Sequence, residues 1–234
     1  MPRPTPIIAR MELHLVRHGQ TLWNAERRIQ GQLDSALDER GREQARALSP
    51  ALESLDIGAV YCSTSGRARE TLSLAMARPP EPVRYRDELR EIRLGTWQGR
   101  LWAEVERECP AMVEALRGAD EAFDVEGSES YAGLQRRGVA ALERIVAEAA
   151  AETVLVVSHG ALIKAVLAHY AGHPLATLRD LPSLPNCSRS VVLASDGRRE
   201  VVSVAGRALE GSDWDPSRRV APSGAVPPLT PRPA

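Results

Sequence analysis

The chain has 234 residues, 43% of them hydrophobic and 26% charged, enough to bury a full core and better suited to one large domain than to two small ones. Thirty basic residues against thirty-one acidic leave a formal charge of −1, so no global field draws the protein to nucleic acid or an anionic membrane, and any anion site has to be local. Cys62, Cys109 and Cys187 are far apart and in no Cys-x-x-Cys spacing, which argues against a disulfide framework or a zinc site and for a reducing cytoplasm; no apolar run approaches the ~20 residues of a membrane helix.

Residues 1–10 read as an N-terminal extension without chemistry, with prolines where a signal peptide would be apolar. Leu13 to Val16 has the apolar character of a strand buried in a parallel sheet, and the chain then changes abruptly to Arg17-His18-Gly19. A site is expected there, because ligands of α/β proteins settle outside the carboxyl ends of the strands. Arg17 brings a planar cationic fork suited to phosphate, His18 a nitrogen that is nucleophilic near neutral pH, and Gly19 a backbone with no side chain in the way. The polar loop that follows is punctuated by Asn24 and Gly31, whose amides are candidates to line a pocket; Trp23 is either a wall of it or plain packing. Asp38 can cap a helix whose apolar positions are Ala45, Leu48, Leu52 and Leu55, kinked or shortened at Pro50.

Ile57 to Ser63 is a second apolar strand ending in a polar turn. Ser65 is a candidate N-cap for a helix to about Ala77, which puts Arg67 in the first turn, where free backbone N–H groups and the helix dipole favour an anion. Glu81 to Arg86 predicts a brief strand, followed by a loop to Gly99 in which carboxylates alternate with arginines. Leu101 to Leu116 reads as helix broken at Pro110, residues 118–127 as an acidic connection, and Ser130 as the start of a long amphipathic helix with Leu134, Leu142 and Ile145 on one face. Thr153 to Val157 is a continuous β-branched strand ending in Ser158-His159-Gly160, and the helix after it can close at Gly172. Ser190 to Ala194 and Glu200 to Val204 predict a hairpin about Asp196-Gly197; beyond Gly211 lies a proline-rich tail, expected to be mobile.

These separated motifs, spanning about Leu13 to Val204, resemble the histidine phosphatase superfamily, which includes cofactor-dependent phosphoglycerate mutases and many small-molecule phosphatases. Arg17-His18-Gly19 resembles the signature of its nucleophilic histidine, and Ser63 to Thr71 the segment carrying its second phosphate-binding arginine, here Arg67. Glu91 with Gly95, Trp97 and Gly99 is similar to its acid-bearing loop, and Ser158-His159-Gly160 to its second histidine. The resemblance implies a three-layer α/β/α sandwich with a mostly parallel sheet over residues 11–210, phosphate contacts from Arg17, Arg67 and Asn24, and substrate contacts from Gln20, Thr21, Gln30 and Gly31. Gln20 and Thr21 replace the glutamate and serine of the mutases, and Gly95 to Gly99 is similar to the phosphatase branch, which favours hydrolysis over isomerisation.

The residues suggest the chemistry directly. Arg17 and Arg67 hold the oxygens of a phosphomonoester, neutral His18 attacks phosphorus to give a phosphohistidine, protonated His159 donates to a transferring oxygen, and Glu91 gives the leaving alkoxide its proton. The expected partner is a small-molecule phosphomonoester, with inorganic phosphate as product, no cofactor and no metal. A serine hydrolase is disfavoured because Val156 stands where a nucleophile elbow needs glycine, a metal hydrolase because the five histidines lack ligand spacing, and a P-loop is absent. A mutase and a non-catalytic phosphoryl-ligand binding protein remain the alternatives.

Overall fold

After its first threonine the run Thr-Val-Leu-Val-Val is apolar at every position because it is covered on both faces. The computed structural model describes residues 10–208, so the expected extension before them and the tail after them lie outside the described residues. The strands are β1 (Met11–Arg17), β2 (Ala59–Ser63), β3 (Arg84–Arg86), β4 (Thr153–Ser158), β5 (Arg189–Ser195), β6 (Arg198–Val204) and β7 (Arg207–Ala208). They form one seven-stranded sheet in the order β3-β2-β4-β1-β5-β6-β7. From β3 to β1 the pairs are parallel, and from β1 to β7 antiparallel, so five strands (β3, β2, β4, β1 and β6) share one direction.

The two halves of the sheet carry different sequence patterns for one physical reason. β4 is sandwiched and buried along five consecutive residues, whereas β5 alternates buried and partly exposed residues, as an antiparallel strand with one dry face does. Alternation also divides the core. Leu13, Leu15, Tyr61, Val154 and Val156 face one apolar cluster, and Val16, Val60, Cys62, Leu155 and Val157 face the other.

The first cluster is covered by α7 (Tyr131–Glu148) and α8 (Gly160–Tyr170). The second is covered by α3 (Ser49–Glu53) and α4 (Gly66–Ala75), and α2 (Glu39–Ala47) packs on α4. The result is the expected three-layer sandwich. Each fully buried Leu or Val contributes roughly 1.5–3 kcal/mol. Between β1 and α2 lies α1 (Leu22–Ala25), and between β3 and α7 lie two 3₁₀ turns, Asp87–Leu89 and Gly95–Trp97, followed by α5 (Trp102–Glu108) and α6 (Pro110–Arg117).

Prolines set several boundaries. The pattern across Pro50 resolves into two helices, α2 ending at Ala47 and α3 holding the proline in its first turn, where its missing N–H costs nothing. Pro110 likewise opens α6. The strand expected over Glu81 to Arg86 is only three residues long. Asp196 (φ +38°) and Gly197 (φ +77°) make the β5–β6 turn. Ser130 caps α7 by accepting from the Gly133 N–H at 3.1 Å. No helix among the described residues is long and apolar enough to cross a membrane.

Candidate active site

Three neighbouring parallel strands, β2, β4 and β1, end on the same edge of the sheet, and each delivers part of the site. β1 ends in Arg17 and runs into His18. β4 ends in Ser158, followed by His159 as the residue before α8. β2 ends in Ser63, and the turn after it starts α4 with Arg67 as its second residue. Backbones pack closely around His18: a Cβ on Gly19 would lie 2.6 Å from the Gly41 carbonyl oxygen, and one on Gly41 only 1.9 Å from that of Gln20. The two glycines let α2 sit directly against the turn that carries His18.

His18 is 2% exposed, and its Nδ1 lies 2.7 Å from the Gly19 carbonyl oxygen. A carbonyl can only accept, so Nδ1 carries the proton and Nε2 keeps its lone pair. Burial, and then the charges of Arg67 and Arg17, push the His18 pKa well below 6.5, so the ring is neutral near pH 7. The ring centroid of His159 lies 5.2 Å away. His159 is fully buried, and burial followed by Arg67 and His18 holds its pKa well below 6.5 too. This corrects the expectation of a protonated donor. Its Nε2 is 2.8 Å from Ser63 Oγ and 3.3 Å from Ser65 Oγ, while Nδ1 is buried without a hydrogen-bond partner.

Arg67 is 1% exposed. Nη1 donates to the Leu33 carbonyl (2.7 Å) and Asp34 Oδ1 (3.0 Å), Nη2 donates to the Gly31 carbonyl (2.8 Å), and Nε is buried without a partner. The expectation that free N–H groups of α4 add to this anion site is overturned. The Asp34 carboxylate accepts from Gly66 N and from Arg67 N (3.3 Å), filling the helix N-terminus, while the side chain of Ser65, at the N-cap position, turns to His159 instead. Arg17 donates from Nη1 to the Leu184 carbonyl and also keeps a buried Nε unpartnered. Burial lowers the pKa of both arginines, Arg17 against the opposing charge of Glu91 and Arg67 against Asp34 and Glu91.

Glu91, the acid that the resemblance implies on this charged loop, is half-buried beside them. Oε1 accepts from the N–H groups of Ile92 (3.0 Å) and Leu162 (3.2 Å), and Oε2 from that of Ala161 (3.1 Å), so the carboxylate sits on the first turn of α8. Arg17, His18, Asn24, Gln30, Gly31, Arg67 and Glu91 line one cavity of about 750 Å³. His159 is packed behind His18 and does not line it. Neither do two expected substrate contacts. Gln20 donates from Nε2 to Asp38 Oδ2 (2.7 Å), bracing the cap of α2, and Thr21 caps α1 while its hydroxyl donates to Gln30 Oε1 (3.0 Å). Gln20, which stands where the mutases have glutamate, thus spends its side chain on the cap of α2 in this structure.

A family model described as histidine phosphatase superfamily (branch 1) matches residues 13–206. The chain belongs to this superfamily. Among histidine phosphatase relatives, phosphoglycerate mutase-like protein 4 of Arabidopsis thaliana is 35% identical over 199 residues, 83% of this chain and 84% of the relative. A metal-independent phosphoserine phosphatase of the same plant is 38% identical over 161 residues, 66% of each chain. The structure of a mycobacterial glucosyl-3-phosphoglycerate phosphatase with VO3 matches with a TM-score of 0.73 at 30% identity, covering 83% of this chain and 98% of that one. No group of three or more His, Cys, Asp or Glu residues among the described residues is arranged to hold a metal ion.

Other residues of this histidine phosphatase site were not legible beforehand. Asp34 lies 32 residues before the helix it caps. Asn186 donates to the His18 carbonyl (3.0 Å) and to Asn24 Oδ1 (3.4 Å) from the irregular stretch before β5. Ser63 was visible only as the end of a strand. The outer wall comes from the segment between β3 and α7, with Ile92, Leu94, Leu101, Trp102, Leu116 and Arg117 facing the cavity.

Proposed function

We propose that the protein hydrolyses small phosphorylated metabolites through a phosphohistidine on His18, in a reducing cytoplasm. The observation that carries this reading is the state of His18: neutral, tied at Nδ1 to the Gly19 carbonyl, and lining the same cavity as two buried guanidiniums. A phosphomonoester dianion repels nucleophiles, and Arg17 and Arg67 offset that charge by donating to its non-bridging oxygens. The lone pair on His18 Nε2 forms the P–N bond as the ester P–O bond breaks, and the bonding pair leaves with the alkoxide oxygen.

Glu91 gives that oxygen its proton. A carboxylate offers about four lone-pair sites, three of which are taken by backbone N–H groups, so Oε2 keeps one for the proton. In the second half Glu91 takes a proton from water, the water oxygen bonds to phosphorus, and the P–N bond breaks to release inorganic phosphate and neutral His18. His159 does not line this cavity, so in this reading it acts from beside His18: its ring centroid lies 5.2 Å away, and its Nε2 shares a hydrogen bond with the Ser63 hydroxyl. Gln30, Gly31 and Asn24 border the substrate in this reading.

Purified protein is to be assayed for phosphate release from a panel of phosphomonoesters, with 3-phosphoglycerate isomerisation in the presence of a bisphosphoglycerate primer measured alongside. Phosphate release, and a base-stable, acid-labile phosphoenzyme that His18→Ala abolishes, are expected. Fast isomerisation without phosphate release would replace this reading with the mutase suggested by the name of the 35% identical relative.

A further inference from the structure

The segment Glu88–Glu91 belongs to no strand or long helix, yet each of its four carbonyls accepts a hydrogen bond from a side chain anchored elsewhere. Ser158, at the end of β4 directly before His159, donates from Oγ to the Leu89 carbonyl at 2.7 Å. Gln32 donates from Nε2 to the Glu91 carbonyl at 3.1 Å. The remaining bonds converge on one guanidinium. Arg137, two turns into α7, donates from Nη1 to the carbonyls of Glu88 (2.7 Å) and Arg90 (2.9 Å) and from Nη2 to that of Glu91 (3.4 Å). Its other edge is gripped by the Glu129 carboxylate, at 3.0 Å from Nε and 2.8 Å from Nη2, and both side chains are largely shielded, 21% and 14% exposed.

Such an arrangement does more than hold a loop down. Arginine offers five N–H groups in a rigid plane, and here all three nitrogens are engaged, so the guanidinium has one orientation and fixes three carbonyls in a single frame. Glu129 lies just before the cap of α7 and sets that orientation from the chain leading into the helix. Neither residue lines the reaction cavity. Resting on the acid role given to Glu91 above, we infer that Arg137, oriented by Glu129, is a positioning residue for proton transfer: it holds the Glu91 carboxyl where the leaving oxygen departs.

Because a misplacement of about 1 Å can cost on the order of a hundredfold in rate, this role has a signature that general support of the fold lacks. The loss depends on how much the leaving oxygen needs a proton. Single-turnover phosphorylation is to be measured with an alkyl phosphate and with p-nitrophenyl phosphate for wild type, Glu91→Gln, Arg137→Lys, Glu129→Gln and the double variant Arg137→Lys/Glu91→Gln. Folding of each is checked by urea unfolding, and Glu129→Gln keeps the test open should Arg137→Lys fail to fold.

The expected result is an alkyl-selective loss of about tenfold or more in Arg137→Lys and a smaller loss of the same kind in Glu129→Gln. In the Glu91→Gln background Arg137→Lys adds little, since residues acting through one group are not additive. Equal losses on both substrates in Arg137→Lys and Glu129→Gln, with Glu91→Gln still alkyl-selective, overturn the positioning role alone, as does full additivity in the double variant. Equal losses in Glu91→Gln itself overturn the acid assignment and the positioning role with it.

Discussion

Asp34→Ala separates what holds Arg67 from what Arg67 does. The Asp34 carboxylate caps α4 through the N–H groups of Gly66 and Arg67 and pairs with Arg67 Nη1 at 3.0 Å. Losing a helix cap costs about 1 kcal/mol. Losing a charged hydrogen bond costs more when both partners are buried, but the Asp34 side chain is 41% exposed, and screening brings this one to about 1 kcal/mol. The variant is expected to lose about 2 kcal/mol in urea unfolding followed by tryptophan fluorescence, or roughly 4–8 °C in melting temperature for a domain of this size. Asp34→Asn, which keeps an acceptor for the helix N–H groups and gives up the charge, is expected to lose about half as much. Activity should fall less than about tenfold in either variant, because the carbonyls of Gly31 and Leu33 still hold the guanidinium at 2.8 and 2.7 Å. Stability within about 0.5 kcal/mol of wild type for Asp34→Ala refutes the capping argument. A loss of activity as deep as that of an Arg67 variant refutes the claim that the two carbonyls suffice.

Other perturbations test the site itself. Arg67→Lys is expected to lower kcat/KM by two orders of magnitude or so, since an ammonium cannot hold two carbonyls and a phosphate in one plane; near-normal kinetics would show that charge alone suffices. Because the native pKa values of His18 and His159 lie well below 6.5, the unfolded chain binds more protons than the native one as pH falls below that value. Stability at pH 5 should therefore be lower than at pH 7, with part of the slope removed in His18→Gln, and a slope identical to wild type would place the titration elsewhere. Gly41→Ala drives a methyl into the Gln20 carbonyl and should damage both stability and turnover, whereas a silent substitution would mean that α2 can move away from the His18 turn. Activity is expected to survive a chelator, and collapse restored by zinc or magnesium would defeat the two-arginine reading.

The strands and the groups at their carboxyl ends were legible because β-branched runs and abrupt changes to polar residues are local signals: Val16-Arg17-His18 and Val157-Ser158-His159 read the same way in sequence and in space. Pairwise chemistry across the fold was not legible. Ser65 stands where an N-cap belongs, and its backbone has the expected extended conformation, yet Asp34 arrives from another loop and takes the bonds. Gln20 neighbours the motif in sequence, but a residue after a turn points wherever the turn sends it, here toward Asp38. By composition alone Glu91 is one charge among many in an arginine-rich loop; the resemblance carried by Gly95, Trp97 and Gly99 picks it out, and in the fold the first turn of α8 meets its carboxylate.

His18 and His159 follow adjacent strands, β1 and β4, whose six paired residues are separated by more than a hundred residues of chain. No shorter stretch of polypeptide brings the two rings together, and closing so long a loop is a late and costly event in folding. Regain of activity during refolding should thus follow the slowest structural phase rather than precede it. A nascent or partly folded chain would be catalytically silent until β4 (Thr153–Ser158) has been made and inserted between β2 and β1.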